Sequence, residues 1–130
     1  AFLHFAEEID RRFGRQRAPF HALVRGLVMQ LLWTGECSND DVGTMLGMHP
    51  RTLLRRLRDE GTSFQRIKDE VRLDLMVYYL RDSDLELSNI SEKLGFTEQS
   101  VMSRFARART GASPTELRAR SRAVRALPVS

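Results

Sequence analysis

Arg51 and Arg55 stand four residues apart, with Arg58 three residues further on, so a helix through this stretch sets three guanidinium groups on one side. Each guanidinium offers a fork of N–H donors that matches O6 and N7 of guanine, a contact worth roughly 1–3 kcal/mol of discrimination against a wrong base. The same fork also suits a phosphate oxygen. Gln99, whose carboxamide suits adenine, and Ser103 repeat the four-residue spacing 48 positions downstream, with Arg104 and Arg107 beside them. The chemistry available is recognition of a polyanion with paired donors.

Two helices must carry these groups. At about 100° per residue, Leu53 and Leu57 mark the buried side of the first, which turns Arg51, Arg55 and Arg58 outward and leaves Leu54 at the edge. The same wheel applied to the second buries Val101 and Phe105 and turns out Gln99 and Ser103, flanked by Met102 and Arg107. This frame pairs Arg51 with Gln99, Leu54 with Met102 and Arg55 with Ser103. Arg51 and Arg55 are therefore expected to dominate base reading. Arg58, Arg107 and Arg109 are expected on phosphates, where they add salt-dependent affinity without specificity. Arg56 and Arg104 fall nearer the buried side and are read mainly as structural, with Arg104 kept among the DNA-facing residues. His49 is read as a helix N-cap or a phosphate contact.

The two helices belong to an internal repeat. Val42-Gly43-Thr44-Met45-Leu46-Gly47-Met48 is answered 48 residues later by Ile90-Ser91-Glu92-Lys93-Leu94-Gly95-Phe96. Each reads as a short helix closed by a glycine that takes the left-handed conformation, followed by a second helix; Pro50 suits the first helical position. Short helix, tight turn and longer helix make a helix-turn-helix, and the small residue at Gly43 and Ser91 lets the two helices cross closely. Downstream the match resumes at spacing 50, Gly61-Thr62-Ser63-Phe64 answering Gly111-Ala112-Ser113-Pro114.

Other segments fit around these units. Phe20, Leu23, Val24, Leu27, Val28, Leu31 and Leu32 predict an amphipathic helix over 20–34 that ends at Thr34-Gly35. Ser38 with Asp41, and Ser113 with Glu116, read as capping boxes. Phe64, Ile67, Val71, Leu75 and Tyr78 or Tyr79 predict one long helix over Ser63–Arg81, a rod of roughly 28 Å at ~1.5 Å per residue. Reading helices on such a rod suit successive major grooves, about 34 Å apart. The expected division is a leading segment 1–19 with Phe2, Phe5, Ile9 and Phe13 at helical spacing, a first subdomain 20–62, a linker helix 63–82, a second subdomain 83–119 and a tail 120–130. Arg118, Arg120, Arg122 and Arg125 are read as solvated residues of a frayed end. Met45, Met48, Met76 and Trp33 are read as core.

Composition excludes other classes. With 130 residues, 42% of them apolar, the chain makes one domain or two small ones. Its longest apolar runs, such as Leu31–Trp33, fall far short of the ~20 residues of a membrane span, and no signal-peptide layout opens it, so a soluble cytoplasmic protein is expected. The single cysteine, Cys37, excludes an internal disulfide, and His4, His21 and His49 are too scattered for a zinc site, so no metal or cofactor is implied. Net charge is +4, and of the twenty-one basic residues only Lys68 and Lys93 are lysines. Neither a glycine-rich phosphate loop nor a nucleophile with a base is present, and no enzymatic activity is expected. The rival reading is a helical module that binds RNA polymerase or another protein through the same basic face. The chain opens on Ala1, not Met, and is expected to be part of something longer.

The run Gly47-Met48-His49-Pro50-Arg51-Thr52-Leu53-Leu54-Arg55-Arg56-Leu57, then Glu60-Gly61-Thr62-Ser63-Phe64, Tyr79-Leu80, Ile90, Leu94-Gly95-Phe96, Ser100, Arg104 and Gly111-Ala112-Ser113-Pro114 resembles the DNA-binding domain of the AraC/XylS family of bacterial transcription regulators over roughly residues 20–119. The resemblance implies an all-α, homeodomain-like domain of about seven helices, with two helix-turn-helix subdomains joined by a long linker helix. It further implies binding to double-stranded operator or promoter DNA, RNA polymerase as a partner, and a small-molecule effector acting only through an N-terminal sensing or dimerising domain. The chain departs from the family pattern at His49, usually Ser, at Gly43 and Ser91, usually Ala, and at Arg109, usually Trp.

Overall fold

A computed structural model describes residues 18–127; the expected helical spacing of Phe2, Phe5, Ile9 and Phe13 lies outside the described residues. The chain is all-helical there, with no strand among the described residues. The elements are α1 (Phe20–Leu31), a 3-10 turn (Leu32–Thr34), α2 (Asn39–Met45), α3 (Pro50–Asp59), α4 (Phe64–Asp82), α5 (Leu87–Lys93), α6 (Gln99–Thr110) and α7 (Pro114–Arg125). Two compact units result, one ending at Val71 and the other beginning at Arg72, so the division falls inside α4.

In the first unit α1 packs on both α2 and α3. Its buried hydrophobic residues are Phe20, Val24, Leu27, Val28 and Leu32 from the α1 region, Cys37 and Val42, Leu53 and Leu57 from α3, and Phe64, Ile67 and Val71 from α4. The expected helix over 20–34 tightens to 3-10 geometry at Leu32 and closes on Gly35 at φ 76°. Trp33 is 68% exposed on that last turn, so its assignment to the core is corrected: the tightened turn carries it off the buried stripe that Val28 and Leu32 define. Glu60, at the end of α3, reaches back to the first turn of α1 and accepts from the Phe20 N–H (3.0 Å) and the His21 N–H (2.6 Å). Pro19 has no side chain able to cap that helix, so the carboxylate supplies the acceptor that its orphan N–H groups need. One turn earlier on α3, Arg56 lies over the Phe20 ring at 3.9 Å from its centroid. Arg56, expected near the buried side, is exposed, and its contact is with this aromatic ring.

The second unit is built around Met76, Leu80, Ile90, Leu94, Met102 and Ala106, with Leu73, Leu85, Phe96, Phe105 and Leu117 packed against them. Fully buried positions on α4 pass from Phe64, Ile67 and Val71 to Met76 and Leu80; of the expected stripe through Leu75 and Tyr78 or Tyr79, Leu75 and Tyr79 pack half-buried against the second core and Tyr78 is exposed. A helix that serves two cores in succession has no one apolar face, and simple periodicity misses the change. Helix α7 runs to Arg125, well into the segment expected to be a tail. Arg118 is not a solvated tail residue: it donates to the carbonyls of Leu80 (3.3 Å), Tyr79 (3.5 Å) and Ser83 (3.3 Å). A cation set at the C-terminal end of α4 suits the negative end of that helix and adds a donor to carbonyls in and just beyond its last turn. Arg122 pairs with Asp84 at 2.9 Å.

Candidate nucleic-acid interface

The turn of each helix-turn-helix is closed by the same pair of hydrogen bonds. The Gly47 N–H donates to Thr44 O (3.1 Å) and the Met48 N–H to Gly43 O (2.8 Å); in the second unit Gly95 donates to Glu92 O (3.0 Å) and Phe96 to Ser91 O (3.0 Å). This double bond is the Schellman arrangement, which needs the left-handed backbone that Gly47 (φ 63°) and Gly95 (φ 75°) adopt. At Gly43 the close crossing is literal: a Cβ there would lie 2.7 Å from the Met48 carbonyl oxygen.

In the first unit the turn delivers the chain to α3 with its start rigidly set. Pro50 occupies the first helical position and His49 Nδ1 accepts from the Arg51 N–H at 3.1 Å, the N-cap role expected of His49. Leu53 and Leu57 are fully buried, so Arg51, Arg55 and Arg58 emerge exposed on the other side, with Leu54 half-buried at the edge, as expected. None of the three guanidinium groups has an acidic partner among the described residues. Three cations on one short helical face, with no described carboxylate beside them, raise the local positive potential.

The second unit departs from the expected frame. Met102 and Ala106 are fully buried, whereas Val101 and Phe105 are only half-buried. The N-cap of α6 is Glu98, so Phe96 and Thr97 separate it from Gly95, where Met48 alone separates Gly47 from His49. One added residue turns the following helix by about 100° relative to the repeat. Register counted from the caps then matches Arg51 with Ser100, Leu54 with Ser103, Arg55 with Arg104 and Arg58 with Arg107. The pairings of Arg51 with Gln99, Leu54 with Met102 and Arg55 with Ser103 are corrected accordingly. Gln99 is exposed, but it is the first residue of α6 and lies on the side of Met102. Arg104, placed near the buried side by the sequence frame, is instead exposed and points about 180° away from Met102 and Ala106. Ser103 is half-buried at the edge of this face.

Sequence reasoning overlooked Ser100, which is exposed at the station of Arg51; its hydroxyl lies 3.3 Å from the Glu98 carboxylate. The longer turn after Gly95 was its signal. Arg107 meets Glu116 at 3.5 Å, with both side chains largely exposed, a contact weak enough to give way to phosphate. Arg109 lies 5.5 Å from the centroid of the Phe105 ring, on the flank of α6. Among the described residues no cluster of His, Cys, Asp or Glu could hold a metal ion, and no helix is long and apolar enough to cross a membrane.

A family model described as a helix-turn-helix domain matches residues 42–120. The chain is 41% identical over 111 residues to the HTH-type transcriptional regulator VirS of Mycobacterium tuberculosis, a match covering 85% of this chain and 33% of VirS. It thus spans about a third of the length of the curated relatives it matches. Among solved structures it is similar to the C-terminal domain of AraT, a response regulator from Geobacillus stearothermophilus, with a TM-score of 0.70, 22% identity, and coverage of 86% of this chain and 88% of that one. It is likewise similar to the DNA-binding domain of AdpA, a global transcriptional factor solved in complex with a target DNA, with a TM-score of 0.71, 24% identity, and coverage of 83% and 97%. At these identities the structural likeness is one of fold.

Proposed function

Because the chain belongs to the AraC-type family of helix-turn-helix transcriptional regulators, we propose that it binds operator or promoter DNA sequence-specifically, with α3 and α6 as reading helices in successive major grooves. Arg51 and Arg55 read bases from α3, and Arg104 reads from α6. Arg58 and Arg107 neutralise phosphates, and Leu54 and Ser103 line the edges of the two faces. His49 caps α3, and Gln99 contacts the backbone beside α6. The observation that carries this reading is the exposed set Arg51, Arg55 and Arg58, without an acidic partner among the described residues, on the side of α3 opposite Leu53 and Leu57.

In the same reading the protein works in the cytoplasm without catalysis, metal or cofactor. RNA polymerase is its protein partner, and a small-molecule effector acts only through a separate N-terminal domain. The test is affinity for a specific duplex measured across salt concentrations. The logarithm of the binding constant should fall linearly with that of salt, with a slope of about −0.9 per phosphate contacted. Arg51→Ala and Arg55→Ala should relax base preference, while Arg58→Ala should weaken binding to all sequences alike. Salt-insensitive binding, or base preferences untouched by the first two substitutions, would overturn the assignment.

A further inference from the structure

We propose that Arg72 is the positioning residue of the second reading helix: from α4 it grips the turn that precedes α6, and so sets how α6 presents Arg104, without itself touching DNA. The inference rests on the DNA reading proposed above.

Arg72 Nε donates to the Leu94 carbonyl and Nη2 to the Gly95 carbonyl, each at 3.0 Å. Both acceptors lie at the C-terminal end of α5, where the helix supplies no amides of its own and where its dipole favours a cation. The same guanidinium lies over the Phe96 ring at 4.4 Å from the centroid. Phe96 in turn meets Phe105 of α6, with ring centroids 5.3 Å apart and planes inclined at 54°. A continuous line of contact therefore runs from Arg72 through the turn to Phe105, the residue next to Arg104.

The need for such a grip follows from comparing the two helix starts. Helix α3 is set by Pro50 and by the His49 cap, whereas α6 begins after a longer turn, has no proline, and receives no side-chain cap from Glu98. Arginine suits the task because its planar fork makes two directed bonds while its face stacks on an aromatic ring; lysine offers a single rotating point charge and no flat face.

The test uses the full chain and two duplexes, one carrying the intact bipartite site recovered from random DNA and one with the half assigned to α6 scrambled. Arg72→Gln should lower affinity for the intact site by roughly 5- to 150-fold, the range carried by one good base contact. It should leave affinity for the scrambled site and the salt slope unchanged. Arg72→Lys, which keeps the charge but loses the fork, should behave like Arg72→Gln. Phe96→Leu, which removes the ring link while keeping an apolar side chain against the second core, should give the same half-site-specific loss and decides the matter if neither Arg72 variant folds. Equal losses on both duplexes with a shallower salt slope, rescued by lysine, would make Arg72 a phosphate contact and overturn the proposal. Unchanged binding by all three folded variants would overturn it too. If the wild-type chain itself discriminates neither duplex, the DNA-reading proposal fails first.

Discussion

Arg55 and Arg104 hold the same station on duplicated helices: each projects from between the two buried residues of its helix, Leu53 and Leu57 in one case, Met102 and Ala106 in the other. Each is consequently the residue pointing furthest from its core, at about 180° from the buried pair. In the DNA reading proposed above, a guanidinium so placed is the first group that a groove floor would meet, and the flanking positions would meet its walls.

This frame ranks the substitutions on α6. Arg104→Ala should weaken binding to the specific duplex by about 1–3 kcal/mol and relax preference at one base position. Gln99→Ala, at the helix start on the side of Met102, should cost well under half as much and alter preference little. Fluorescence anisotropy with a matched and a singly mismatched duplex separates the two. The reverse ranking would restore the frame that the internal repeat alone predicts.

That frame shows where the sequence is legible and where it is silent. Both helix-turn-helix units, their turn glycines, the Ser38 cap and the face of α3 follow from residue type and spacing. For α6 the sequence offers two apolar pairs at the four-residue spacing, Val101 with Phe105 and Met102 with Ala106, and a helical wheel accepts either. The larger pair is the natural choice, but the extra residue in the preceding turn selects the other. Glu60 and Arg118 were equally hidden, because a side chain that caps a helix distant in sequence leaves no local periodic mark. Ser113 was half legible: its hydroxyl accepts from the Glu116 N–H at 3.2 Å, but the Glu116 carboxylate answers the hydroxyl (3.1 Å) and not the Ser113 amide.

Gly43→Val should destabilise the first unit by about 1–3 kcal/mol, the usual range for overpacking a closed contact, because a Cβ there runs into the Met48 carbonyl. Urea unfolding followed by circular dichroism measures the change. Ser91→Ala, which only removes a hydroxyl at the equivalent crossing, should cost distinctly less. A Gly43→Val protein as stable as wild type would mean that α2 and α3 can separate freely.

Asp41 couples the cap of α2 to pH. The amide and then the hydroxyl of Ser38 donate to its carboxylate, at 2.9 and 2.8 Å, and hold its pKa below the ordinary value. A carboxyl whose folded pKa is depressed contributes stability above its unfolded value, about 3.9, and that contribution disappears as pH falls through the lower folded value. Asp41→Asn should therefore cost about 0.3–1 kcal/mol at pH 7, and the gap from wild type should close at pH values below the folded pKa. A gap that stays constant across the titration would remove the charge from the account.

Glu60→Ala should cost about 1 kcal/mol, the value of a lost helix cap, and Glu60→Gln less, since one acceptor remains. Hydrogen exchange at the amides of Phe20 and His21 localises the effect. Both should lose protection in Glu60→Ala, while amides in the middle of α4 keep theirs.

Selection of bound duplexes from random DNA bears most directly on the claim that two arginine-centred faces read DNA together. The wild-type chain should recover two conserved blocks centred about one duplex turn, 10–10.5 base pairs, apart. Arg55→Ala should erase preference in one block and Arg104→Ala in the other. Recovery of a single undivided block, or loss of the same block with either substitution, would contradict it.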